Sequence, residues 1–360
     1  MADRTSYPSH VSKPLELAHE PIVQDLIRLV SLDDELAVGL RSALRRAELS
    51  IKTLDDLYDY LDRLVTLVPS DRSWLAGFSL EFYYIIDCSV DGFLKTHSPF
   101  QRWALEYVDA WARFLDTLAS TTALSTFHGD RRYQLPDYQC GPSGWLSFNQ
   151  FFARQPKPGK RPVHDIANDQ VVVSPADCLF MAQSPISPKS TITVKHATFD
   201  IQELMDESEY GDQFAGGTFT HCLLNTWDYH RFHAPVRGHV LESKKVPGIV
   251  GLDITKNAAG KITAQAGTGF QFKQDRGLLV LDSPIGLVAL LPIGMAEISS
   301  IELTAEVGVH LTKGEEFGYF QFGGSDIVTL YQADRIDLAA ENGTHYNQGV
   351  AIGRGRETTS

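Results

Sequence analysis

Basic residues are in the minority in this 360-residue chain. Lys and Arg number 32 against 45 Asp and Glu, a formal charge of −13 at pH 7. A net acidic surface repels phosphate backbones and anionic headgroups, and no dense basic patch offsets it, so nucleic acid is not an expected partner. Cysteine is scarce: Cys88, Cys140, Cys178 and Cys222 are widely spaced and form no CxxC pair. That argues against a zinc site or redox couple of that kind and fits a reduced, cytoplasmic setting. Long apolar runs are missing as well. The longest, Gly286 to Ala296, is broken by Pro292 and Gly294. It is too short to cross a bilayer, so no stable membrane insertion is expected. The first residues, through Pro21, are polar and proline-containing. They resemble neither a signal peptide nor a transit peptide. What is present is an ordinary globular composition, 43% hydrophobic and 21% charged, with length enough for a sizeable core.

The chain divides into two textures. Residues 15 to 120 carry helical signals. Thr53-Leu54-Asp55-Asp56 reads as a capping box, followed by Leu57, Leu61 and Leu64 on the face of Leu54. Ser98-Pro99 reads as a second helix start, followed at helical spacing by Phe100, Trp103, Tyr107, Trp111, Phe114 and Leu118. That aromatic stripe is expected to be core. Residues 128 to 145 are polar and rich in turn formers, and the domain connection is placed there. Beyond residue 165, short β-branched runs bounded by Gly and Pro predict a β-rich α+β half. The end, GRGRETTS, reads as a frayed tail.

Four segments in the second half concentrate chemistry. They are FNQFFARQPKPGKRP (148–162), SPAD (174–177), WDYHRFHAPVRG (227–238) and KGEEFGYFQFGGS (313–325). His230 and His233, beside Asp228, are open to three readings: hydrogen-bonded loop histidines, a metal pair that lacks its third ligand, or acid/base groups. Gly323-Gly324-Ser325 reads as a tight turn, and neither a P-loop nor a G-x-S-x-G elbow is present. A serine after two unshielded glycines can attack the preceding carbonyl if a base reaches its hydroxyl. Asp177, His233 and Ser325 supply the residue types of orienter, base and nucleophile.

Taken together the four segments resemble the phosphatidylserine decarboxylase family, over about residues 145 to 335, with VKHATFDIQELM (194–205) as a further matching block. The resemblance implies an α+β fold: a helical N-terminal domain (1–140) and a β-rich catalytic domain (141–360). It implies that Ser325 attacks the Gly324 carbonyl, forms an ester by an N→O shift, and becomes a pyruvoyl group as the chain splits between Gly324 and Ser325. The two fragments stay associated. Asp177 and His233 would assist this cleavage, and His230, with Asp228, would donate a proton in decarboxylation. The pyruvoyl ketone would hold the substrate amine as a Schiff base and act as electron sink, with no external cofactor and no metal. Departures from the family pattern are Cys178, His196, Phe199 and Asp326, where Gly, Gly, Tyr and Thr or Ser are usual.

Within that family the helical extension and missing membrane signals are most like the soluble fungal amino acid decarboxylases, of which the tryptophan decarboxylase of psilocybin biosynthesis is the type. The expected activity is therefore decarboxylation of a free L-amino acid by a carboxy-lyase. Phosphatidylserine decarboxylation to phosphatidylethanolamine is the alternative, and an unprocessed serine hydrolase or a non-catalytic binding protein stands behind both. A homo-oligomer is compatible with the sequence.

Overall fold

The computed structural model describes residues 19–71, 80–194, 197–264, 270–295 and 301–356. His196 lies outside them. The α+β expectation holds, with helices first and antiparallel strands after.

Helix α1 (Pro21–Leu32) begins on proline and buries Val23, Leu26 and Val30. Helix α2 (Asp34–Ala47) is capped by the Asp33 carboxylate and carries acids in its first turn and arginines in its last, matching the helix dipole. Helix α3 (Leu54–Val65) starts with the expected capping box: Thr53 Oγ1 accepts from the Asp56 amide, and Asp56 accepts from the Thr53 amide. Helix α4 (Leu80–Asp87) follows. Helix α5 (Ser98–Leu115) carries the aromatic stripe, with Phe100, Trp103, Tyr107 and Trp111 buried.

Two details of α5 differ from expectation. Its N-cap is His97, whose Nδ1 accepts from the Phe100 amide, so Ser98 and Pro99 fill the first turn. The helix stops at Leu115, which leaves Leu118 on a 3₁₀ turn and 68% exposed. The stretch to residue 137 is a series of 3₁₀ turns, before the short helix α6 (Phe148–Phe152).

The catalytic half is organised by one antiparallel sheet. Its strands are β1 (Cys178–Pro185), β2 (Thr218–Leu224), β3 (Gly238–Val246), β4 (Arg276–Ser283), β5 (Gly286–Met295), β6 (His310–Leu311), β7 (Gly324–Tyr331) and β8 (Thr344–Tyr346). Their order is β6-β3-β4-β5-β7-β2-β1-β8. Strand β7 is thus interior, paired with β5 on one side and β2 on the other. Side chains alternate across it. Ile327 and Tyr331 join a core that is continuous with the helices of the N-terminal half, whereas Val328 and Leu330 join a second cluster with Phe219, Phe272 and Ile293. The GLVALLPIG run is strand β5, buried on both faces, which explains why it lacks a polar alternation. The tail expected to fray is partly ordered: Ala351–Gly355 is a strand paired with Val171–Val173 and Ile336–Leu338.

Candidate active site

The motif segments converge. The strands Arg231–His233 and Glu316–Phe320 pair directly, placing Glu316 opposite His233 and Gly318 opposite Phe232. A Cβ at Gly318 would lie 2.2 Å from the Glu302 carbonyl oxygen, so this close approach requires glycine. The amide of His233 donates to the Pro175 carbonyl at 2.8 Å, which brings the SPAD segment alongside. Helix α6 joins the remaining segment. Asn149 Oδ1 accepts from the Phe322 amide at 3.2 Å, and the Phe322 ring packs edge-on against Phe148 at 5.1 Å.

Ser325 is the second residue of β7, opposite Gly294 of β5 and Leu224 of β2. It is fully buried, and its Oγ has no hydrogen-bond partner among the described residues. Gly323, just before the strand, has φ 137°, a conformation that side-chain-bearing residues rarely adopt. The tight-turn reading of the two glycines is therefore half right: Gly323 turns, and Gly324 already belongs to the sheet.

His230 is buried against Phe152, with ring centroids 3.8 Å apart. Its Nδ1 donates to the Asp228 carbonyl at 2.9 Å, which leaves Nε2 as a bare acceptor without a partner. Burial, reinforced by the neighbouring Arg154 charge, holds its pKa well below the ordinary histidine value. His230 is therefore held in its neutral form. Its contact with Asp228 runs through the backbone. The Asp228 carboxylate instead accepts from the Asn225 amide at 2.7 Å and binds His345 Nε2 at 3.0 Å. That hydrogen bond raises the pKa of His345.

His233 Nδ1 donates to the Gly314 carbonyl at 2.9 Å, and its Nε2 accepts from the Tyr229 hydroxyl at 3.0 Å. Burial lowers its pKa to about 4. Asp177 is held by Arg161, whose Nε lies 2.8 Å from Oδ1 and whose second nitrogen reaches Oδ2, and by the Gln348 amide at 2.8 Å. The expected Asp177–His233–Ser325 relay is therefore not hydrogen-bonded here. Both ring nitrogens of His233 are engaged elsewhere, and so is the Asp177 carboxylate. Arg161, which holds Asp177, also donates to the Tyr138 hydroxyl at 3.1 Å.

Sequence reading missed several participants. Arg161 and Arg154 lie in the first motif but carry no signal of their partners. Arg154 is buried and donates to the carbonyls of Trp227, Asp228 and Tyr133, while its Nε is unpartnered. Beside it a cavity of about 440 Å³ is bounded by Gln139, Trp145, Gln150, Arg154 and Arg231. The metal reading of the histidine pair gains no geometry: among the described residues the one cluster with ligand-like spacing is His19, Asp59 and Asp62, on the helical half.

Comparison with known proteins agrees with the motif reading. The phosphatidylserine decarboxylase family model matches residues 148–354. Phosphatidylserine decarboxylase proenzyme 2 of Oryza sativa subsp. japonica is 32% identical over 195 residues, 54% of this chain and 31% of the relative. The proenzyme of Fusobacterium nucleatum subsp. nucleatum is 29% identical over 277 residues, 77% of this chain and 88% of the relative. Proenzyme 3 of Schizosaccharomyces pombe is 32% identical over 190 residues, 52% of this chain and 19% of that protein. The chain thus spans under a third of the rice relative and under a fifth of the fission yeast one, but most of the fusobacterial one. These matches overturn the expectation of a free L-amino acid substrate. That expectation rested on missing membrane signals in the sequence, and a surface that meets lipid can be assembled from residues far apart in the chain.

Proposed function

The chain belongs to the phosphatidylserine decarboxylase family, and from that premise we propose that it is a carboxy-lyase converting phosphatidylserine to phosphatidylethanolamine after cutting itself between Gly324 and Ser325. The family is one of pyruvoyl-dependent carboxy-lyases whose prosthetic group is made from a serine of the chain itself. The residues here fit that group. The observation that carries the reading is a buried serine hydroxyl with no hydrogen-bond partner, at the start of a central strand and directly after two glycines.

The steps follow from these residues. Oγ of Ser325 has no competing hydrogen bond to break before it attacks the Gly324 carbonyl carbon. A C–O bond forms there, the Gly324–Ser325 C–N bond breaks, and the serine proton ends on the freed amine. On this reading two buried, neutral imidazoles of the motif segments carry the protons. His230 offers a bare Nε2, and His233 requires only that Tyr229 release its hydrogen bond. Because burial keeps His230 unprotonated, it serves first as a base and becomes an acid only after taking a proton. Asp177 holds Arg161 and Gln348 in place around this centre. Removal of the residue 325 α-proton then breaks the Cβ–O bond, so the serine oxygen leaves in the Gly324 carboxylate; the enamine becomes an imine, water displaces ammonia, and the resulting pyruvoyl carbonyl would supply an electron sink for the bond to carbon dioxide. The ladder of β7 with β5 and β2 keeps the fragment 325–360 attached to the fragment 1–324. The division into a helical domain (1–140) and a catalytic domain (141–360) belongs to the same reading.

Intact-mass analysis of purified protein tests it. Two fragments meeting at Gly324/Ser325 are expected, the shorter with a blocked N-terminus, together with carbon dioxide release from phosphatidylserine vesicles. Ser325→Ala should remain one chain and release none. Full activity from an uncut chain overturns the reading.

A further inference from the structure

Strand β7 offers its two faces to different chemistry. The side chain of Ser325 lies on the face shared with Leu224 and Cys222, and Asp326 lies on the opposite face, beside Leu223 and Val328. That opposite face is otherwise apolar, with Phe219, Phe272, Ile293, Val328 and Leu330. In it Asp326, only 2% exposed, meets a single polar side chain among the described residues: His221 of β2, whose Nε2 is 2.7 Å from Oδ2. Among the same residues the other oxygen, Oδ1, has no partner. His221 packs edge-on against Phe272, with ring centroids 5.7 Å apart. A charged group in such surroundings is costly unless its one contact has a use.

The position suggests the use. A cut between Gly324 and Ser325 turns the interior of β7 into a chain end. Nothing upstream then restrains residue 325. The next residue is Asp326, and its side chain is bonded across the ladder to the neighbouring strand. We propose that His221 is a positioning residue acting through Asp326: the hydrogen bond pins the strand immediately beyond the scissile bond, holding Ser325 in line before the cut and the new chain end in place after it. This inference rests on the processing reading above. It also gives a role to the acidic residue that follows the serine, where Thr or Ser is usual in the family.

The test uses the full-length chain and separates pinning from stability. Replacing the pair by apolar residues, His221→Phe with Asp326→Leu, removes the pin while suiting the apolar face, so Tm should stay near that of the parent chain. Losing a hydrogen bond to a charged group should slow appearance of the 325–360 fragment about tenfold and lower kcat on phosphatidylserine about tenfold, with KM changed less than about twofold. Asp326→Asn and His221→Gln, which each keep a hydrogen-bonding group facing the partner, should stay within about threefold of the parent. If the double variant does not fold, His221→Leu with Asp326→Asn is read by the same thresholds. Parent-like processing and kcat in the apolar variant, a change in KM alone, or conservative variants as slow as the apolar one each overturn the proposal. The Ser325→Ala control keeps the two readings apart. A parent chain cut at Ser325 with unaffected pair variants sinks only the pin, and an uncut active parent sinks both.

Discussion

The motif segments hold two groups of polar residues, and they are treated in opposite ways. In the first, the polar side-chain atoms are bonded: Asp177 accepts from Arg161 and Gln348, Asp228 accepts from Asn225 and pairs with His345, and His233 donates to Gly314 and accepts from Tyr229. In the second, buried atoms are left bare: Oγ of Ser325, Nε2 of His230 and Nε of Arg154. Leaving a buried polar atom unpaired costs about 1–3 kcal/mol, so such atoms are uncommon in a native fold. On the proposed reading the contrast separates a framework of groups whose bonds set geometry, Asp177 and His233, from reactive groups whose missing bonds keep them available, Ser325 and His230.

That division can be broken by mutation. The largest expected effect lies on the reactive side. His230→Gln keeps the side-chain volume but removes the basic nitrogen, and should lower processing or turnover about a thousandfold, with Tm little changed. A single-turnover assay on purified precursor reads it; a loss under tenfold would move His230 into the framework. Asp177→Asn should act the other way round. It strips the partner from a buried arginine and should cost about 3–5 kcal/mol of stability, read by denaturant unfolding. If stability is unchanged and only activity falls, Asp177 belongs with the reactive groups.

The smallest effect is a pH dependence. His233 has its pKa lowered from 6.5 to about 4 by burial. The unfolded chain therefore binds the proton more readily, so the contribution of this group is complete above pH 6.5 and is lost as pH falls toward 4. Over that window the parent should lose about 1–3 kcal/mol more than a His233→Gln variant, measured as unfolding free energy against pH. Equal slopes would mean that the buried imidazole does not report on folding.

Much of this architecture was legible beforehand, for reasons that are local. The capping box at Thr53 and Asp56 spans one helical turn, and the aromatic stripe of α5 follows from 3.6-residue periodicity. The same logic failed where the signal was positional by one residue, at His97, or where the helix simply ended, before Leu118. The site was legible as a set of residue types. Its pairing was not: Asp228 finds His345 across 117 residues, and Asp326 finds His221 across 105. Even Arg161 and Asp177, 16 apart, are joined only because the intervening segment folds back.

By itself the sequence determined the chemical inventory: a serine after two glycines, two histidines three apart, an aspartate in SPAD, and helices and strands whose periodicities are written in neighbouring residues. Only the tertiary structure decided which of those groups are bound and which are bare, and that Asp326 faces away from Ser325 toward a histidine. Hydrogen bonds are satisfied through space, so whether a buried nitrogen or oxygen has a partner depends on every strand packed around it.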